Sequence, residues 1–491
     1  MNNRKAISIV SIIVIFLISI LGIFNDKLNT ISIPVNTYSI TSNDKNTIKE
    51  NANESSEDNN KNNNIEISKD GKEDTNDFKV TTLDNAKNKL VDKLDIVKQY
   101  LEIKQSDKTT KDFVEWFSKQ YSLQVVSELG LNGGNNINRD FYTQTGKSLF
   151  VLCDEFLEDK EDIHKNAKKT DEVSLLFAGD ICLAEDGFVL DYYDTTSGLK
   201  DCVSEKIIEQ CNEADIFMLN NEFSISDRGS AIPGKMYTFR AKPERVKILN
   251  ELGADIVSLA NNHVYDFGQE AFEDTIDIIR NAGITTVGGG RNSEEAEKVV
   301  YYVVNGIKIG FVSASRAEKV RYTPGAKKDS PGIFLMYDDT RLNEVIASAD
   351  KQCDYLIAYI HWGTEDSKYF EAYQHDIAQK MITSGVDAII GGHPHILQGM
   401  EYIDGKPVVY SLGDFWFNGE TKYNGMINLK IDINGIKSMT YVPCMQSNYK
   451  TLYLEDEQNK TDVFNYLREL SPNCTIGDDG VIMPKKNNTS E

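Results

Sequence analysis

Four of the chain's six histidines stand in three short motifs: Ser258-Leu259-Ala260-Asn261-Asn262-His263, Ile360-His361-Trp362-Gly363 and Gly391-Gly392-His393-Pro394-His395. Two carboxylates sit the same way upstream, Asp180 in Phe177-Ala178-Gly179-Asp180 and Glu222 in Met218-Leu219-Asn220-Asn221-Glu222. Each motif follows an apolar run that reads as a strand, so five strand ends each deliver at least one donor able to bind metal. Mixed imidazole, carboxylate and amide donors suit zinc, manganese or iron(II) rather than calcium. Taken singly, each element has a plainer reading. Asp180 fits a cap, Glu222 a solvated loop acid, Asn261-Asn262 a turn, and a lone histidine a hydrogen-bonded structural residue. Their recurrence at five strand ends points to one site. Pro394, between His393 and His395, would stiffen a loop that turns both imidazoles toward one region.

The elements that must position these residues are short apolar runs: Val173 to Ala178, Ile216 to Leu219, Ile256 to Leu259, Ile307 to Ser313, Tyr355 to Ile360, Ala388 to Ile390 and Val408 to Ser411. Amphipathic stretches alternate with them, at Glu244 to Leu252, Gln269 to Ala282, Arg341 to Ala349 and Gln374 to Ser384. That alternation predicts an α/β domain with a layered core, in which ligands collect at the carboxyl ends of the strands. Met426 to Ile433 and Ser438 to Val442, joined at Asn434-Gly435, predict a hairpin with a type I′ turn.

At 491 residues the chain is long enough for this domain and flanking segments. Ala6 to Phe24 is almost wholly apolar and follows Arg4 and Lys5, without a small-residue cleavage site after it. It reads as a transmembrane anchor (1–28) that leaves the remainder outside the cell, at the membrane's outer face. A disordered polar linker (29–81) follows, then a small helical subdomain (82–165) marked by Leu90, Leu94, Val97, Leu101, Phe113, Phe117, Leu123 and Val126. The α/β domain occupies 171–447, and a helix with a polar tail 448–491. A net charge of −23 excludes a nucleic-acid partner, which needs a basic footprint. Seven scattered cysteines without a C-x-x-C read as buried thiols.

The motifs Gly179-Asp180, Asn220-Asn221-Glu222, Ala260-Asn261-Asn262-His263 with Asp266 and Gly268, His361-Trp362-Gly363 with Glu365, Gly392-His393-Pro394-His395 and Tyr410-Ser411-Leu412-Gly413-Asp414-Phe415 occur in an informative order. Together they resemble the CapA family of poly-γ-glutamate capsule proteins, whose fold is related to calcineurin-like metallophosphoesterases. The resemblance covers about Val173 to Cys444 and implies a four-layer αββα sandwich. It implies a metal site of Asp180, Glu222, Asn262, His361, His393 and His395 holding one or two divalent ions, manganese, iron or zinc. It further implies His263 as the acid that protonates a leaving group, with Asp266 orienting it.

Two departures bear on the metal count. Phosphoesterases carry a histidine two residues after the first aspartate where this chain has Cys182, and a bridging aspartate where Glu222 stands. Glu185 also replaces a basic residue common in CapA relatives. Arg228, Lys235, Arg240, Lys242, Arg245 and Lys247 form a basic cluster in an otherwise acidic chain, and Arg240 is expected to meet a polyanion. Asn221, Trp362 and Glu365 complete the expected substrate contacts. The expected function is capsule biosynthesis or export of poly-γ-glutamate or another anionic polymer, with membrane-embedded synthesis subunits as partners. A metal-dependent hydrolase of phosphoesters or γ-glutamyl amides is the first alternative, and a non-catalytic polymer-binding scaffold the second.

Overall fold

A computed structural model describes residues 75–131, 136–169, 171–317 and 321–485. The expected anchor and nearly all of the expected linker lie outside the described residues. Among the described residues no helix is long and apolar enough to cross a membrane.

Two sheets make the core. In the first, seven strands run in the order Ile163–Lys165, Val300–Val304, Ile307–Ser315, Tyr355–His361, Ala388–Gly392, Lys406–Val409, Met400–Ile403. In the second, Val173–Ile181, Ile216–Asn221, Ile256–Ser258 and Thr285–Val287 lie parallel in that order. The long hairpin Lys422–Asp432 and Gly435–Ser447 extends this sheet antiparallel from Val173–Ile181.

Strand alternation sends successive side chains to opposite faces, and the packing follows it. Leu175, Phe177, Met218 and Ile256 meet Ile309, Phe311, Ile357 and Tyr359 between the sheets. On the outer face of one sheet, Leu176, Phe217 and Val257 pack on the helices Val246–Leu252 and Gly268–Asn281 through Leu249, Phe272 and Ile276. On the outer face of the other, Leu356, Ala358 and Ile360 pack on Thr340–Ala349 and Ala372–Ser384 through Ile346, Ile377 and Met381. The layers are therefore helix, sheet, sheet, helix.

The helical subdomain has its own core of Leu90, Val97, Phe113, Phe117, Phe141 and Phe156. Its helix starts are fixed by side chains, including a capping box of Thr109 with Asp112 and a cap from Ser148 to the Val151 amide. It docks at the amino end of Ile307–Ser315, where the Ser148 amide donates to the Gly306 carbonyl at 2.7 Å.

Three boundaries differ from the sequence expectation. The first helix among the described residues begins at Thr75, inside the expected linker, and Ile163–Lys165 is an edge strand rather than part of the helical unit. Beyond 447 the chain is more than a helix and a polar tail. Lys450–Tyr453 and Val481–Pro484 both pair with Gly435–Ser447, and Cys474–Ile476 pairs in turn with Val481–Pro484, burying Ile476 and Ile482. Strands of three or four residues carry too little periodicity to be read without their partners. The hairpin is also closed differently. The pair Asp432 and Gly435 leaves a two-residue loop of Ile433 and Asn434, neither with positive φ, and Gly435 takes φ 143°. A type I′ turn needs positive φ at both central residues.

Candidate metal centre

Parallel pairing within each sheet brings the expected ligands to one edge. Register places Ser315, His361 and Gly392 side by side in one sheet, and Asp414, Asp180 and Asn220 in the other. Two close approaches need glycine. A Cβ on Gly179 would lie 1.9 Å from the Gly413 carbonyl oxygen, and one on Gly392 would lie 2.6 Å from Asp180 Oδ1. His393 and His395, on either side of Pro394, take φ 98° and 58°. Left-handed backbone at two non-glycine residues costs on the order of 1–3 kcal/mol each and persists only where the surroundings enforce it. Here the His393 amide donates to Asp180 Oδ2 at 2.9 Å, and His395 Nδ1 donates to Asp414 Oδ1 at 2.8 Å.

The donors form three overlapping sets: Asp180, Glu222 and His361; Glu222, His393 and His395; Asp180, His395 and Asp414. Within each set the donor atoms lie within 4.8 Å of one another. Ligands about 2.0–2.2 Å from a zinc-sized ion are at most about 4.4 Å apart, so small inward movements complete coordination. The cluster is buried and acidic, and two of its atoms, Glu222 Oε1 and His393 Nδ1, are buried with no hydrogen-bond partner. Unpaired buried acceptors are costly, and a cation between them removes that cost. The residues therefore fit a divalent ion.

The protonation pattern agrees. Burial, and after it Glu222, pushes Asp180 up to about 6 against His361 and His395. Burial pushes Glu222 to about 7 against the pull of His395 and His263. His361 is lowered to about 4 by burial, and His393 well below its ordinary value by burial and its neighbouring imidazoles. Burial opposes the charge on His395, yet Asp414, Glu222 and Asp180 raise it to about 10. Without an ion, protons balance the excess negative charge.

Asn262 contacts the cluster through Oδ1, 2.7 Å from His361 Nε2. His263 sits beside it, Nδ1 bonded to Asp266 Oδ2 at 2.7 Å and its ring 4.4 Å from that of Phe239. Asp266 also accepts the Phe239 amide at 2.8 Å, which fixes the carboxylate's orientation. Cys182 is buried, with its thiol pushed well up by burial and by Glu222, and belongs to none of the three donor sets.

Three residues belong here that the sequence reading did not select. Asp414 backs His395, Asn220 donates to Asp180 Oδ1 at 2.8 Å and to Glu222 Oε2 at 3.2 Å, and Lys235 lies 2.7 Å from Asp266 Oδ1. Asp414 opens a strand instead of ending one, which hid it. Asn220 is two residues from Glu222, the spacing that shares a face in a strand. Lys235 was one of six basic residues with nothing to distinguish it.

Other expected contacts lie elsewhere. Trp362 is fully buried, donating from Nε1 to the Tyr410 carbonyl, and so packs the core instead of lining the site. Asn221 is buried with Nδ2 bonded to the Phe223 carbonyl. Arg240 rests on the Phe267 ring and bonds the Arg228 and Gly229 carbonyls. Glu365 is exposed on the turn after His361.

A two-sheet α/β domain with a metal-competent cluster at its strand ends defines a class, and comparison with known proteins makes it specific. The family model described as bacterial capsule synthesis protein PGA_cap matches residues 174–419, half of the chain, and the chain belongs to that family. It is 32% identical over 212 residues to the capsule biosynthesis protein CapA of Bacillus anthracis, covering 41% of this chain and 50% of that one. It is 29% identical over 204 residues to the PGA biosynthesis protein CapA of Bacillus subtilis, covering 41% and 53%. The chain thus spans about half the length of the curated relatives it matches. Among solved structures, 5'-nucleotidase from Candida albicans aligns with 14% identity and a TM-score of 0.33 over 65% of this chain and 57% of that one. That likeness is too distant to bear on the site.

Proposed function

We propose that this chain is a membrane-anchored, extracellular component of poly-γ-glutamate capsule synthesis or export, and that its metal centre hydrolyses γ-glutamyl amide bonds of the polymer. The relatives' roles in capsule and PGA biosynthesis, as their names give them, support the polymer. The apolar run Ala6 to Phe24 behind Arg4 and Lys5 supports the anchor, and with it a role beside membrane-embedded synthesis subunits. The observation that carries the chemistry is the buried donor cluster, with Glu222 Oε1 and His393 Nδ1 unpartnered, next to the His263 and Asp266 pair.

Asp180, Glu222, His361, His393 and His395, with Asp414 behind His395, would hold a divalent ion, which when bound would supply Lewis acidity. The chain's own residues do the rest. Asp266 holds His263 by Nδ1, leaving Nε2 to give a proton to the departing nitrogen. The amide C–N bond breaks, the hydroxyl of water joins the carbonyl carbon, and His263 regains a proton from the same water. Lys235 and the Phe239 amide hold Asp266 in place throughout.

The test uses the full chain purified without chelators, beside a His393→Ala, His395→Ala double variant. Stoichiometric manganese, iron or zinc and metal-dependent shortening of poly-γ-glutamate are expected, and both vanish in the double variant. Polymer bound but never shortened would leave a binding scaffold. Folded protein that takes up no added metal would sink the hydrolase reading.

A further inference from the structure

Arg316 immediately follows Ile307–Ser315, and its amide donates to the carbonyl of the metal-site residue His361 at 2.9 Å. Its guanidinium lies over the Tyr373 ring at 4.3 Å and near the Tyr337 ring at 5.7 Å. Tyr373 is tied to the site in turn, because its hydroxyl accepts the Gly363 amide at 2.8 Å. Gly363 itself backs onto the His-Pro-His loop: a Cβ there would meet Pro394 Cγ at 3.1 Å. The Arg316 backbone is therefore joined to the strand end that carries His361, and among the described residues its guanidinium is held by aromatic contacts.

Most of the described arginines are met by an acid. Arg228, Arg245, Arg280, Arg291, Arg341 and Arg468 each pair with an aspartate or glutamate. Among the described residues no carboxylate lies within 4.0 Å of the Arg316 guanidinium. Arg139, Arg240 and Arg321 likewise pair with no acid among the described residues, but Arg240 bonds the Arg228 and Gly229 carbonyls, Arg321 bonds the Tyr322 hydroxyl and Arg139 lies in the helical subdomain, so what distinguishes Arg316 is its place next to the strand end that carries His361. Cation–π contact occupies the face of a guanidinium and leaves its N–H edge for a planar acceptor. That fork matches a carboxylate in two parallel hydrogen bonds.

We propose that Arg316 is a specificity-determining residue that binds a free carboxylate of the substrate beside the metal centre. The inference rests on the polymer reading above, since each γ-linked glutamyl unit carries one free α-carboxylate next to its amide. An amide positioned at the metal centre then brings a carboxylate with it for Arg316 to bind. Arg316 sets which amide is engaged, and an uncharged chain of the same length is bound less well.

The test is calorimetric binding of a γ-linked glutamate pentamer, and of the same pentamer with every α-carboxylate converted to the carboxamide, to the manganese-loaded full chain. Wild type is compared with Arg316→Met and with Arg316→Gln, which keeps a polar side chain, and metal content is measured for each. Loss of charge-assisted hydrogen bonds is expected to weaken the acidic pentamer by about 10- to 100-fold and to leave the carboxamide unchanged. Equal binding of the acidic pentamer by wild type and both variants overturns the subsite, and so does an equal loss for both ligands. Those outcomes leave the polymer reading standing. Metal-loaded wild type that binds neither pentamer removes the polymer reading and the subsite together.

Discussion

Two buried clusters of charge lie toward opposite ends of Ile307–Ser315, and only one of them is self-sufficient. At the amino end, Lys308 is fully buried with Nζ 2.6 Å from Asp154 and 3.0 Å from Asp162, and the Tyr100 hydroxyl bonds Asp154 from the helical subdomain. Roughly 23 Å further along the strand, at about 3.3 Å per residue, Ser315 adjoins His361 in the metal centre. There Asp180, Glu222 and Asp414 crowd around His395, and Glu222 Oε1 has no hydrogen-bond partner. The first cluster carries its own cation and fastens two parts of the molecule. The second has only the His395 imidazolium against three acids, leaves Glu222 Oε1 without a hydrogen bond, and is shaped to receive a metal ion. A buried acid is thus evidence for a ligand only where the protein has not already neutralised it.

Removing the internal cation should have the largest effect on stability. Lys308→Met leaves Asp154 and Asp162 buried against an apolar side chain, and a loss of about 3–5 kcal/mol is expected in denaturant unfolding. Protein that remains folded should keep its full metal content, because the lesion lies at the far end of the strand. Metal lost in proportion to stability would instead show the clusters to be coupled.

A smaller effect should come from the residue that holds the ligands. Asn220→Ala removes the donor to Asp180 and Glu222, and a roughly 10- to 100-fold weaker metal affinity is expected from competition with a chelating dye. Thermal stability of the ion-free variant should change little, or rise, because the acids it restrained can then protonate freely.

The third expectation concerns pH, with a slope of at most about 1.4 kcal/mol per pH unit for each proton involved. Asp180 and Glu222 titrate at about 6 and 7, above the ordinary carboxylate range, so the folded chain holds protons the unfolded chain has released. Their contribution is complete below about pH 4 and is lost as pH rises through 6 and 7. His395, raised to about 10, contributes fully below about 6.5, and that contribution falls steadily as pH rises from there and is gone above about 10. The ion-free protein should therefore lose stability between about pH 5 and 8, while metal affinity rises over the same window as the carboxylates ionise. Melting temperatures measured across that range, with and without saturating manganese, check both signs.

Much of the centre was legible because strand geometry is local. Asp180, Glu222, His361, His393 and His395 each end or follow a run whose apolar pattern identifies a strand, and parallel strands place such ends on one edge. Arg240 and Trp362 show the limit of that reasoning. Both lie close in sequence to site residues, yet a side chain's direction depends on what surrounds it, and these two turn to Phe267 and to Tyr410. Asp414 and Lys235 were hidden for the complementary reason, since each reaches the site from a segment whose place no local pattern specifies.

Donor chemistry, strand alternation and the order of the motifs were set by the sequence alone, because residue type and a period of two or 3.6 are local properties. Which acids are neutralised and which await a cation was decided by the tertiary structure. Asp154, on a helix, and Asp180, at a strand end, are both buried aspartates, and their sequence surroundings do not say which of them is neutralised from within. Only packing puts Lys308 against one and leaves the other facing Glu222, because electrostatic balance is a sum over neighbours that the fold alone brings together.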